Sequence, residues 1–141
     1  MEETTLEKRL CVRFQIPGAE VKYKKESTFF RKAEFNPEAF PLVDISRGGI
    51  RFYSHEIPKF DTHVIVELFI PEDPVPLVLE GTVRWYSPTP DARYKYHLGV
   101  QLFPYGEGKG HNPQHVLQRI IDLEQQFLET VEPPDEGPEA I

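Results

Sequence analysis

At 141 residues, 39% of them hydrophobic, the chain has the size of one domain. Its longest apolar runs fall far short of the eighteen or so residues that span a bilayer, so a single soluble domain without membrane insertion is expected. The formal net charge is −7, but it is divided: residues 8–51 carry ten basic side chains against five acidic ones, and residues 52–141 carry six against fifteen. That split favours a small anion near the first third of the chain and disfavours long duplex DNA, which would also meet the acidic remainder.

Residues 1–7 are acidic and show no periodic pattern, so they are expected to be a flexible N-terminus. They lack the basic start and apolar block of a secretory leader, which points to the cytoplasm. The one cysteine, Cys11, cannot form an internal disulfide or a Cys-based zinc site. It lies between Arg9 and Arg13, two guanidiniums that an extended chain would separate by about 13 Å. That span suits a dinucleotide better than a single phosphate.

Residues 14–24 predict a first strand interrupted at Pro17-Gly18, with Phe14, Ile16, Val21 and Tyr23 on the apolar side. The conformation of residues 25–40 stays open. Residues 42–46 and 50–53 predict two short strands joined through Arg47-Gly48-Gly49. Val64, Val66, Leu68 and Ile70 then line one face of a strand. Leu77, Leu79, Val83 and Trp85 line the next, with Glu80, Thr82 and Arg84 opposite and a bend at Gly81. Tyr96, Leu98, Val100 and Leu102 complete a last strand. Short strands with turn signals between them predict a mainly β fold, a six-stranded antiparallel barrel.

The period then changes. Asn112 is placed to cap a helix over residues 113–130, whose stripe of Val116, Ile120, Leu123 and Phe127 must close one end of the barrel or meet a second copy in a homodimer. Residues 131–141, acidic and rich in proline, predict a disordered tail. His111 and His115 have the spacing of metal ligands but no third partner, and they read as surface histidines.

The stretch Asp44-Ile45-Ser46-Arg47-Gly48-Gly49 combines a carboxylate that can accept from a guanine edge, a hydroxyl that can donate to phosphate, and glycines that admit close backbone approach. The same residues also suit a tight turn with no ligand. Arginine meets guanine, stacks on bases and pairs with phosphate, so the set holds the parts of a guanine-nucleotide clamp.

With Arg9-Leu10-Cys11-Val12-Arg13 upstream, in the order R-x-x-x-R then [DN]-x-S-x-x-G, the sequence resembles the PilZ domain family, bacterial receptors for the second messenger cyclic di-GMP. The resemblance runs over about residues 5–130 and includes the strand YHLGVQLF. It implies a switch loop at residues 8–13, a barrel at 14–104 and the helix. It also implies a cyclic di-GMP site of Arg9, Arg13, Asp44, Ser46 and Gly49, with Lys8, Arg47 and Gly48 beside them. Asp44 would read a guanine edge, Ser46 would bind phosphate, and a basic Lys8 would favour a stacked ligand dimer. The loop would be held off the barrel until a ligand folds it down. Arg84, expected on a distant strand, would play no part.

No cofactor or metal is implied, and no acid-base pair or activated nucleophile suggests an enzyme. The expected role is a signalling receptor for an unidentified effector protein, with motility, pili, exopolysaccharide or virulence as outputs. Two other readings are a scaffold of the same fold that binds no nucleotide and a barrel for single-stranded nucleic acid. Trp85, on the apolar face, speaks against the last.

Overall fold

The computed structural model describes residues 12–25 and 38–131. Lys8, Arg9, Cys11 and residues 132–141 of the expected tail lie outside them. Six antiparallel strands form a closed barrel in the order β1-β2-β3-β6-β5-β4: β1 (Glu20–Lys25), β2 (Phe40–Ile45), β3 (Gly49–Ser54), β4 (His63–Phe69), β5 (Leu77–Pro88) and β6 (Tyr96–Leu102). One helix follows, α1 (Gln114–Val131). The mainly β, six-stranded barrel read from the alternation is the observed fold.

The pleat puts every second side chain inside. Val21, Phe52, Val66, Leu79 and Leu98 are all fully buried, so every strand except β2 contributes from that group, and Phe40 and Ile45 supply the β2 share. Closure gives every strand a neighbour on both sides, although β1 and β2 pair only at Glu20–Pro41 and Val21–Phe40. The predicted first strand is split. Phe14 pairs alone with Ile45, through N–H···O bonds of 2.9 Å in each direction, and the chain turns at Gly18 (φ 82°) before β1 begins.

Gly81 is needed for close approach. A Cβ there would lie 2.2 Å from the Gln101 carbonyl oxygen, so β5 and β6 could not meet as they do. The expected bend at Gly81 is instead an irregularity a little further on. Val83 pairs with Val100 and Trp85 with Gly99, so Arg84 is an extra residue in the ladder. One inserted residue reverses the alternation. Trp85, expected on the apolar face, therefore turns outward and is 38% exposed.

The helix seats Val116, Ile120 and Leu123, all at most 1% exposed, on one end of the barrel. Its polar flank is tied to the connections at that end: the Arg119 guanidinium donates to Asp73 (2.9 Å) and Arg47 Nε donates to Glu124 (3.1 Å). Of the two roles expected for the apolar stripe, capping the barrel is the one observed. Asn112 does not cap the helix with its side chain. Its amide donates to the carbonyls of Glu80 (3.0 Å) and Phe103 (3.1 Å), and its oxygen accepts from the Glu80 N–H (2.9 Å). A buried amide with three backbone partners in reach is better satisfied there than at the helix start. It joins β5 to the segment that launches α1.

Candidate functional site

The connection between β2 and β3 is a tight turn closed by Ser46 N–H donating to the Gly49 carbonyl (2.8 Å). The Ser46 hydroxyl, on a residue only 2% exposed, accepts from the Gly48 N–H at 3.2 Å. Gly49 is buried against β6, where a Cβ would come within 3.1 Å of the Val100 carbonyl oxygen. The turn is anchored from outside as well. Tyr105 donates its hydroxyl to the Arg47 carbonyl (2.5 Å), and burial pushes that hydroxyl up to about 12 against the pull of Arg47's charge.

This turn fixes the register in which Asp44 faces Arg51 across the β2–β3 ladder. Arg51 grips the carboxylate with two donors: Nε lies 2.8 Å from Oδ1, and Nη2 bonds Oδ2. Such forked pairing is among the stronger charge-assisted arrangements, and the bond to Asp44 holds the Arg51 guanidinium above its ordinary value. Arg13 reaches the same carboxylate, with Nη1 3.4 Å from Oδ1. It is brought there by the Phe14 pairing with Ile45, one residue downstream. The expected switch loop is thus already tethered at Arg13; its remaining residues, 8–11, lie outside the described part.

On the outer wall, β3, β6 and β5 carry a groove of about 470 Å³, within the range of small-ligand sites. Arg13, Ser46, Gly48 and Gly49 line one side of it, and Arg51, Arg84, Trp85, Gly99 and Gln101 the other. Arg51, Gly99 and Trp85 lie in one cross-strand row. The Trp85 ring covers Gly99, where a Cβ would meet it at 2.7 Å, and the Arg51 guanidinium stands 5.4 Å from the ring centre. Arg84 donates to Gln101 (3.0 Å) and pairs with Asp61 (2.7 Å) at the far rim. Among the described residues around the groove, four guanidiniums, of Arg13, Arg47, Arg51 and Arg84, meet three carboxylates, of Asp44, Glu124 and Asp61, leaving one positive charge in excess.

Of the sequence-predicted residues, Arg13, Ser46, Gly48 and Gly49 are brought together on this groove. Asp44 lies behind it, and Arg47 turns its side chain toward α1. Lys8 and Arg9 fall outside the described residues. Arg84 is on the groove rather than distant from it: β5 is one strand removed from β3 across β6, Arg84 keeps its expected outward face, and the extra residue in β5 turns Trp85 out beside it. Arg51 was detectable in principle: a turn over residues 46–49 places residue 51 opposite residue 44. Trp85 was not, since nothing in the local pattern announces the extra residue. His111 and His115 are exposed, His111 ahead of the helix, and among the described residues no group of three metal-ligating side chains comes together.

The fold is a closed barrel with a capping helix and an arginine-lined outer groove. The PilZ domain family matches residues 7–122, and the chain belongs to that family. PilZ domains are generally receptor and adaptor modules for cyclic di-GMP rather than enzymes. No curated protein matches the chain.

Proposed function

We propose that this protein is a cytoplasmic, non-catalytic receptor for cyclic di-GMP that passes ligand occupancy to an effector protein, with motility, pili, exopolysaccharide or virulence as the class of output. The observation that carries this reading is the meeting of both sequence motifs on one groove, Arg13 from the first and Ser46, Gly48 and Gly49 from the second. The excess positive charge there suits a ligand with two phosphates, and the recessed Ser46 hydroxyl suits one of their oxygens. Arg9 joins the site through its motif, four residues before Arg13. Lys8, Arg47 and Gly48 belong to its margin. Asp44 serves it from behind, through the two arginines it holds.

Calorimetric titration of the purified protein with cyclic di-GMP tests the reading. Saturable binding is expected at micromolar ligand, weakened about tenfold or more by Arg13→Ala or Ser46→Ala. Arg93→Ala should bind as the parent does, since Arg93 sits in the β5–β6 turn, paired with Asp91. Absence of binding would overturn the receptor reading and leave the scaffold role for this fold.

A further inference from the structure

The turn between β2 and β3 serves two parts of the molecule at once. Ser46, Gly48 and Gly49 line the groove, while the Arg47 side chain leaves it and donates through Nε to Glu124 of α1 at 3.1 Å. The Glu124 side chain is only 13% exposed, so water competes weakly for its carboxylate, and removing Arg47 would leave a largely buried charge without its partner. Tyr105, on the segment that runs from β6 to α1, donates its hydroxyl to the Arg47 carbonyl at 2.5 Å and packs against the barrel core. Arg47 is therefore fixed at its side chain by the helix and at its backbone by the chain that leads into the helix.

In the folded protein these ties and an assembled turn occur together. The Ser46 hydroxyl accepts from the Gly48 N–H, and the Ser46 N–H donates to the Gly49 carbonyl. The backbone has only two soft dihedrals per residue, so a shift of Arg47 moves the peptide groups on either side of it and disturbs both bonds. The helix has a second ion pair, Arg119 to Asp73 at 2.9 Å, but that one leads to the β4–β5 connection, and neither residue lines the groove.

We propose that α1 regulates the groove: in its docked position it holds the motif turn in shape through Glu124 and Tyr105, so that helix docking and ligand binding favour each other. This rests on the receptor reading above. Glu124 and Tyr105 are positioning residues that act through Arg47. Coupling between two sites is reciprocal, so the ligand strengthens helix docking by the same factor by which docking strengthens ligand binding. A partner that grips the docked helix would tighten the ligand, and one that draws the helix off the barrel would weaken it.

Two measurements on the full chain test it. Without nucleotide, the isosteric Glu124→Gln should shift the backbone amide resonances of Ser46, Gly48 and Gly49, while Arg119→Gln, which breaks the helix's other tie, should leave them in place. Unmoved resonances in Glu124→Gln, or equal shifts in the two variants, would overturn the proposal.

The second measurement is the affinity for cyclic di-GMP by calorimetry. Glu124→Gln and Tyr105→Phe should each weaken binding by about fivefold or more, and Arg119→Gln should stay within about twofold of the parent. Amide hydrogen exchange of α1 should slow when the ligand is added to the parent, and slow less in Glu124→Gln. An unchanged affinity in Glu124→Gln, or an equal loss in Arg119→Gln, would reduce α1 to a structural cap and sink the idea. Failure of the parent protein to bind would tell against the receptor reading instead, and the nucleotide-free resonances would still judge the tie between helix and turn.

Discussion

At the scale of single residues, the wall behind the groove depends on how polar groups are paired. Next to Arg51 in space, His97 lies on β6 with its Nε2 buried and unpartnered and its ring 4.7 Å from Tyr53. Burial, and after it the charge of Arg51, holds the imidazole below its ordinary value of 6.5, with Asp44 and Asp91 pulling the other way. The fold therefore favours neutral His97, and as pH falls the unfolded chain takes up this proton first. The contribution of His97 to stability is full above about pH 6.5 and is lost as pH drops toward the lower folded value. His55 and His63 are each paired with a glutamate, so the comparison must be with a variant. Melting temperatures of the parent should fall relative to those of His97→Phe between about pH 7 and pH 5. Equal slopes for the two proteins would contradict this.

At the scale of elements, the barrel is set by where strands approach and where they slip. Gly81 lets β5 lie against β6, and its would-be Cβ meets backbone at 2.2 Å and the Val100 side chain at 2.8 Å. Backbone cannot give way as a flexible side chain can, so Gly81→Ala should cost about 2–3 kcal/mol, near the upper end for overpacking. Gly48→Ala, with nothing within 4 Å of the new methyl, should stay within about 0.5 kcal/mol of the parent. Urea unfolding midpoints of the two variants measure the contrast.

The irregular registers matter as much. In β2 the ladder slips between Leu42 and Asp44, and in β5 between Val83 and Trp85. The first follows the Asp44–Arg51 pair that the turn sets, and the second brings Trp85 out beside Arg84 on the groove.

At the scale of the molecule, the helix and the barrel are one stability unit. Val116, Ile120 and Leu123 belong to the same apolar cluster as the barrel interior. An isolated helix of this length is marginal in water, so its stability comes from that packing. Leu123→Ala is expected to lower the stability of the whole protein by about 2–5 kcal/mol. It should do so in a single transition whether followed by far-ultraviolet dichroism or by Trp85 fluorescence; separate transitions would mean that the helix is only loosely attached. The same docking gives the groove a physical link to the helix. Arg47, between the motif residues Ser46 and Gly48, holds Glu124, and Tyr105 holds the Arg47 carbonyl.

Much of this arrangement is local and was legible in the residue order. The alternation of Val64, Val66 and Leu68 against His63, Ile65 and Glu67 follows from burying one face of a strand. The helix stripe follows from the 3.6-residue period in the same way. The two motifs could be named from spacing alone. What the sequence could not decide were the places where the period is broken. One extra residue in β5 changes which face Trp85 takes, at little local cost that any propensity records, and only the pairing of Val83 with Val100 and Trp85 with Gly99 reveals it. Asn112 likewise had a sound local role as a cap and gave it up for three backbone partners that only the folded barrel brings near. By itself the sequence determined the barrel, its capping helix and the identity of the motifs, because these rest on short-range periodicity and spacing. The tertiary structure alone decided which side chains share the groove, since that depends on strand register across the closed sheet.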